Sequence, residues 1–261
     1  MKIRTNGIDL NYTVDGNGPW VVMSHSIACS LHMWDPQVEL LAKHFKVLRF
    51  DTRGHGASSA PEGEYTLEAL ADDVKGMLDG LGITACRWVG LSMGGMLGQT
   101  FALRYPGIFT AMVLADTCSR YSPDVWPQWE ARIKTAREKG MEPLVEPTLS
   151  RWFTEPFRAS RRDVTDPVAA MIRATPVPGY AGCCYAIPKI NLTHRLKEVR
   201  CPTLVIVGEQ DQATPMEMAR EIHGAIPGAQ LVTIPSASHL SNLEQPQAFN
   251  KALAAFLEKS R

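Results

Sequence analysis

One stretch of the sequence decides the fold, Trp88-Val89-Gly90-Leu91-Ser92-Met93-Gly94-Gly95. Its apolar start predicts a short strand, and apolar residues over 96–103 recur at the spacing of a helix. Between the two, Gly90 and Gly94 each stand two residues from Ser92, which is the G-x-S-x-G pattern. A serine on so sharp a strand-to-helix turn has a strained backbone and requires small neighbours. Taken alone, the pattern also fits a glycine-rich turn with a capping serine. Its setting favours an exposed, nucleophilic Ser92 hydroxyl at a helix N-terminus.

Length and composition are those of a globular protein with a large core. The chain has 261 residues, of which 45% are hydrophobic and 21% are charged, and its formal net charge is +0. This balance favours neither nucleic acid nor an anionic membrane as a partner, and no apolar run approaches the ~20 residues of a membrane-spanning helix. Because residues 1–7 lack the apolar core of a signal peptide, we expect a cytoplasmic protein. We interpret the cysteines, which form no C-x-x-C pair, as reduced and mostly buried: Cys29, Cys86, Cys118, Cys183, Cys184 and Cys201.

Predicted strands and helices alternate along most of the chain. The strands are expected at Lys2–Thr5, Ile8–Val14, Trp20–Met23, Lys46–Asp51, Thr110–Leu114, Thr203–Gly208 and Gln230–Ile234. Helices are expected at Trp34–His44, after a Thr66 cap to about Leu81, from a capping box at Thr214-Pro215-Met216-Glu217, and at Pro246–Leu257. The first two strands join at Asn6-Gly7, a hairpin signal. This alternation predicts an α/β fold, a mostly parallel central sheet with helices on both faces.

Residues 117–196 interrupt this alternation. They are rich in Trp, Arg and Pro, and their short helical segments include Trp126–Lys139, Pro143–Phe153 and Pro167–Ala174. We interpret them as a helical cap inserted into a core that consists of residues 1–116 and 197–261.

A serine nucleophile requires a base, and the base requires an orienting group. Asp211 follows one predicted buried strand and His239 follows the last one. Because the carboxyl ends of parallel strands share one edge of a sheet, we expect Ser92, Asp211 and His239 to meet there. Glu209 is the alternative acid, but Asp211 sits deeper in the turn. Each residue alone also fits a non-catalytic role, Asp211 as an acid at a helix start and His239 as a surface histidine. The prediction therefore rests on their joint placement.

The oxyanion formed during acyl transfer requires positioned N–H donors. We expect them to be the amides of Met93 and of Ile27, which lies in the loop after the third strand. The segment 51–58, Asp-Thr-Arg-Gly-His-Gly-Ala-Ser, lacks the ending of a phosphate loop and the spacing of a metal site. We interpret it as a structural turn in which Arg53 and His55 bond to neighbouring loops. No nucleotide or zinc pattern occurs, so neither a cofactor nor a metal is predicted.

With these residues assembled, the chain resembles α/β-hydrolases over essentially its whole length, and among them the 3-oxoadipate enol-lactonases. The matching stretches are Met33–Gln37, Phe50–Gly56, Gly90–Met96, Arg151–Thr154, Gly179–Ala181 with Cys183-Cys184, His239–Asn242 and Glu244–Pro246. The resemblance implies hydrolysis of an enol-lactone that carries a carboxylate, a late step of aromatic catabolism in the β-ketoadipate pathway. The chain departs from that family at His25–Ala28, at Tyr185 and at Ile187–Asn191.

An anionic substrate requires a cation near the pocket, for which the cap offers Arg120, Arg132, Arg151 and Arg158. We choose Arg132, because helical spacing places it on one face with Trp126 and Trp129. Trp152 and Tyr185 are the other expected substrate contacts. The partner is thus a small lactone or ester, and homo-oligomer formation stays open.

Two alternatives to an enol-lactonase remain. One is a general carboxylesterase or a lactonase for another ring, and the more distant one is a non-catalytic ligand-binding protein of the same fold. Ser92 argues against dehalogenases and epoxide hydrolases, which use Asp at that position.

Overall fold

The sheet begins with the predicted hairpin. In a computed structural model that describes residues 1–259, β1 (Lys2–Thr5) and β2 (Ile8–Asp15) pair antiparallel with Thr5 opposite Ile8. The two turn residues, Asn6 and Gly7, have φ of 45° and 78°. Positive φ at both positions gives a turn whose twist matches that of the two strands.

The remaining strands form one sheet with this hairpin. They are β3 (Trp20–Ser24), β4 (Lys46–Phe50), β5 (Cys86–Leu91), β6 (Phe109–Ala115), β7 (Thr203–Gly208) and β8 (Gln230–Ile234). The order across the sheet is β1-β2-β4-β3-β5-β6-β7-β8, and the pairs from β4 to β8 are all parallel. Every residue of β5 and of β7 is buried, as expected of parallel strands covered on both faces. The predicted fold class is confirmed.

Helices connect the parallel strands and cover the sheet. They are α1 (Asp35–Leu41), α2 (Leu67–Gly80), α3 (Met93–Arg104), α4 (Trp126–Lys139), α5 (Val145–Trp152), α6 (Glu155–Ser160), α7 (Arg162–Ala174), α8 (Val177–Ala186), α9 (Met216–Ala225), α10 (Ser241–Glu244) and α11 (Pro246–Lys259). The chain between β6 and β7 thus folds into α4 to α8. Over residues 1–259, no helix combines the length and the apolar character that crossing a membrane requires.

Two predicted helices differ from the structure at one boundary each. The helix predicted over Trp34–His44 is α1, which begins at Asp35 after a 3₁₀ turn at Leu31–Trp34 and already ends at Leu41. The capping box at Thr214 does not form, because α9 begins only at Met216 and its N-cap is Pro215, so Thr214 lies one residue before the cap position. The Thr214 hydroxyl donates to Asp211 Oδ2 at 2.8 Å. The predicted cap at Thr66 is confirmed, since its hydroxyl accepts the Ala69 N–H at 3.0 Å.

Candidate active site

Ser92 occupies a strained turn between β5 and α3. Its φ of 56° and ψ of −115° are unfavourable for a residue with a side chain. A Cβ on Gly90 would lie 2.1 Å from Gly94 O, and one on Gly94 would lie 2.2 Å from Ser24 O. Only glycine fits at these two positions, because α3 must approach the sheet closely for the turn to close. The turn therefore has the steric origin that its sequence predicts.

Asp211 and His239 follow β7 and β8, and the structure brings them together. Asp211 Oδ2 lies 2.9 Å from His239 Nδ1, and both side chains are buried. Asp211 Oδ1 accepts the N–H groups of Ala213 and Thr214 at 2.8 and 2.9 Å. A carboxylate held in this way accepts Nδ1–H and leaves the imidazole Nε2 free to take a proton. The alternative acid, Glu209, accepts the Ser236 N–H instead.

Ser92 and His239 line one cavity of about 270 Å³. Ile27 lies in the cavity wall, and among residues 1–259 its amide finds no hydrogen-bond partner. Met93 is the first residue of α3, so its amide has no carbonyl one helical turn before it. Two free N–H groups and a serine hydroxyl are the parts that acyl transfer requires.

Of the predicted substrate contacts, Trp129, Arg132 and Trp152 line this cavity. The Arg132 guanidinium stacks 4.6 Å from the centre of the Trp129 ring. The structure does not bring Trp126 and Tyr185 to the cavity. Their rings pack against each other at 5.9 Å, because α8 meets α4 one turn before Trp129.

A second arginine faces the same cavity. Arg151, at the end of α5, lines it together with Arg132, and neither guanidinium has an acidic partner within the part of the chain that is described. Burial lowers the pKa of Arg151, and the charge of Arg132 lowers it further. Two cations without a counterion make this end of the cavity attractive to an anion.

Sequence reasoning missed Asp116. This residue follows β6 with φ of 45°, and its side chain is fully buried. Its Oδ1 accepts the Gly208 N–H at 2.7 Å and its Oδ2 accepts the Ser241 hydroxyl at 2.6 Å. It thereby joins the loop that carries Asp211 to the loop that carries His239. Its position directly after an apolar strand was the available signal.

The turn at 51–58 bonds to its neighbours, His55 to a loop as predicted and Arg53 to a helix where a loop was expected. Arg53 forms two bonds to Asp73 of α2, at 2.6 and 2.7 Å, and His55 Nε2 accepts the Ala28 N–H at 2.9 Å. No group of three or more His, Cys, Asp or Glu side chains within residues 1–259 is placed to hold a metal ion.

Comparison with known proteins decides the family. A family model described as the alpha/beta hydrolase fold matches residues 19–246. The chain belongs to the α/β-hydrolases. 3-Oxoadipate enol-lactonase 2 of Acinetobacter baylyi is 34% identical to it, over 98% of this chain and 96% of its own length.

Two solved α/β-hydrolase structures are also similar over nearly the whole chain. The enol-lactonase from Burkholderia xenovorans LB400 is 40% identical with a TM-score of 0.95, covering 99% of this chain and 100% of its own. A thermophilic esterase from Thermogutta terrifontis, solved with malate bound, is 31% identical with a TM-score of 0.95. The match covers 100% of this chain and 98% of the esterase chain. These relatives support hydrolase activity on a small molecule.

Proposed function

We propose that this α/β-hydrolase opens a small enol-lactone through an acyl-enzyme, with 3-oxoadipate enol-lactone as its substrate. The observation that carries the proposal is the buried 2.9 Å contact between Asp211 and His239, whose imidazole shares a cavity with Ser92. The enol-lactonase relatives support the choice of substrate. We place the reaction in aromatic catabolism and in the cytoplasm.

The first half of the proposed reaction acylates Ser92. His239 Nε2 takes the proton of the Ser92 hydroxyl while Asp211 holds the imidazole in the Nδ1–H tautomer. The serine oxygen attacks the lactone carbonyl, and the amides of Ile27 and Met93 stabilise the oxyanion. General base catalysis contributes about 10²–10⁴-fold, and each oxyanion donor contributes about 10²–10³-fold in kcat.

The second half releases the product. Collapse of the tetrahedral intermediate breaks the bond to the ring oxygen, so the leaving group is an enolate that stays attached to the acyl chain. Imidazolium at His239 protonates it, and the enol tautomerises to a ketone. Water, deprotonated by His239, then attacks the acyl-enzyme and frees the acid and the Ser92 hydroxyl.

Substrate recognition in this proposal is electrostatic. Residues 117–196, which we propose as the cap, supply Arg132 and Arg151, and either guanidinium can hold a carboxylate in two hydrogen bonds. Trp129 and Trp152 supply flat apolar surfaces to the same cavity. The thermophilic esterase was solved with malate, a dicarboxylate, bound, and this supports the proposal of an anionic ligand.

Replacement of Ser92 by Ala tests the proposal. The purified enzyme should hydrolyse the enol-lactone and, more slowly, neutral p-nitrophenyl acetate. Ser92→Ala should lose activity on both by about 10⁴-fold or more, since removal of the nucleophile leaves only binding and the oxyanion hole. Turnover of the lactone by Ser92→Ala at the rate of the unaltered enzyme contradicts the mechanism.

Replacement of Arg132 by Ala tests recognition of the carboxylate. We expect KM for the enol-lactone to rise roughly 10- to 100-fold, because a hydrogen bond to a charged group contributes about 1.5–3 kcal/mol. Neutral p-nitrophenyl acetate should be hydrolysed nearly as before. The matched control is Arg137→Ala on the same helix, whose guanidinium stacks over Tyr185 at 5.6 Å and not in the cavity. Equal losses on both substrates contradict this role.

A general carboxylesterase is the second candidate function, favoured by the esterase relative with a TM-score of 0.95. The ratio of kcat/KM for the enol-lactone to that for short neutral esters separates the two. An enol-lactonase should prefer the lactone, whereas an esterase should show no such preference.

A further inference from the structure

Two buried histidines connect the loop of Ile27 to the turn at 51–58. His25 Nε2 accepts the Thr52 N–H at 2.9 Å, and His55 Nε2 accepts the Ala28 N–H at 2.9 Å. In each of the two loops, therefore, one imidazole accepts a backbone N–H of the other loop. The two rings lie 5.1 Å apart and neither is exposed to solvent. The proposed acyl transfer uses neither of them.

The second nitrogen of each ring is also used. His25 Nδ1 lies 2.7 Å from Ser26 O, and His55 Nδ1 lies 3.2 Å from Arg53 O. A carbonyl only accepts, so both rings carry their proton on Nδ1 and present a lone pair at Nε2. Burial lowers the pKa of both imidazoles, that of His55 to about 3. Both rings are thus neutral near pH 7 and able to accept an amide.

These bonds fix the two peptide planes on either side of Ile27. The carbonyl of Ser26 and the N–H of Ile27 belong to one planar trans peptide, so the bond from His25 to Ser26 O sets the direction of the Ile27 N–H. Cys29 N–H supports the same carbonyl at 3.2 Å. The bond from Ala28 N–H to His55 fixes the next peptide. Ala28 has φ of 56°, a left-handed conformation that a residue with a side chain holds only when its surroundings impose it.

We propose that His25 and His55 are positioning residues that hold the peptide planes around Ile27, so that its free N–H points at the developing oxyanion. This inference rests on the proposed function, because it assigns the geometry of the oxyanion hole and not the nucleophile. An amide that is aimed in advance stabilises the transition state more than the bound substrate.

The test compares His55→Phe, His55→Gln and Asp73→Asn. Phe fills the ring's place without an acceptor, whereas the Gln side-chain oxygen can reach the position of Nε2. Asp73→Asn is the matched control, because it weakens the ion pair with Arg53 that anchors the same turn to α2 and has no contact with the loop of Ile27. Each variant is measured for Tm, kcat, KM and the inhibition constant of an alkyl boronic acid, which forms a tetrahedral adduct with a serine hydroxyl.

We expect His55→Phe to lower kcat by about 10²-fold, the loss expected when one oxyanion donor is misdirected. The boronic acid should bind more weakly by a similar factor, while KM changes little. His55→Gln should recover most of the loss, and Asp73→Asn should lower Tm without moving the inhibition constant. A loss of kcat in Asp73→Asn as large as in His55→Phe, or an unchanged inhibition constant in His55→Phe, overturns the proposal.

Two further measurements distinguish a failure of the positioning role from a failure to fold and from a failure of the proposed function. If His55→Phe does not fold, ¹⁵N NMR of the unaltered protein decides, since both imidazoles should be neutral Nδ1–H tautomers near pH 7 and His55 should stay unprotonated down to about pH 5. An Nε2–H tautomer of either ring, or protonation of His55 in that range, overturns the proposal. An active Ser92→Ala would instead reject the proposed function, while an inactive Ser92→Ala beside an unimpaired His55→Phe rejects only the positioning role.

Discussion

At the scale of single residues, the carboxyl of Asp116 has an unusual setting. It is fully buried and bonds to both loops that carry Asp211 and His239. Burial raises its pKa well above the ordinary value, and the charge of Asp211 raises it further. The folded chain therefore keeps a proton at this site over a pH range in which the unfolded chain has released it. Over that range the folded state binds more protons, so the free energy of unfolding falls as the pH rises.

Asp116→Asn removes this titration and keeps an amide oxygen for the Gly208 N–H. We expect its free energy of unfolding, relative to that of the unaltered protein, to increase as the pH rises above about 4, the ordinary pKa of an aspartate. Urea unfolding at constant ionic strength measures it. The control is Asp72→Asn, because the hydrogen bond to Arg104 lowers the pKa of that half-buried carboxyl, so it titrates below this range. If the difference in free energy of unfolding between Asp116→Asn and the unaltered protein does not change with pH, the raised pKa of Asp116 is contradicted.

At the scale of elements, the close approach of α3 to the sheet creates the strained turn at Ser92. Gly94 lies against Ser24 O of β3, and Gly98 lies against the Trp88 ring of β5, where added Cβ atoms would come within 2.2 and 2.3 Å. The Trp88 Nε1–H donates to Gly94 O at 3.1 Å. The glycines of α3 therefore set the distance between the helix and the strands that present Ser92.

Gly94→Ala should push α3 away from β3. We expect it to lower the free energy of unfolding by roughly 1–3 kcal/mol, the usual effect of overpacking, and to lower kcat as well. Gly224→Ala in α9 is the control, because an added Cβ there would have no heavy atom within 4 Å outside the backbone of its own helix and its chain neighbours. Alanine there should stabilise the protein by about 0.5–1 kcal/mol. Unchanged stability and turnover in Gly94→Ala contradict the steric account.

Local signals made most elements predictable from sequence. The Asn6-Gly7 turn, the buried strands and the Thr66 cap depend on neighbouring residues. The wrong predictions arose where the local pattern does not fix the structure. Thr214 lies one residue before the N-cap of α9, and helical spacing on α4 does not reveal that Trp126 meets Tyr185.

The partners of Asp116 also explain why its setting was not predicted. They lie 92 and 125 positions further along the chain, and no local pattern indicates them. Arg151 was recognised in the sequence as a candidate cation. Only the folded chain, however, places it beside Arg132 on the cavity that Ser92 lines.

At the scale of the whole molecule, the helices between β6 and β7 are bonded to the loop of His239. Leu240 N–H donates to Trp152 O at 3.1 Å, and the Ser238 hydroxyl donates to Arg151 O at 3.0 Å. The buried carboxylate of Glu244 accepts N–H groups from Ser238 and Thr154, at 2.8 and 3.0 Å. One wall of the cavity and the proposed base thus hold each other in place.

Covalent labelling by an alkyl fluorophosphonate tests the central claim, the activation of Ser92 by His239 and Asp211, most directly. Intact mass and peptide mapping should show a single adduct, on Ser92. Its rate of formation should fall steeply in His239→Gln and, to a lesser extent, in Asp211→Asn. An adduct on another residue, or labelling of Ser92 at an undiminished rate without His239, would contradict the claim.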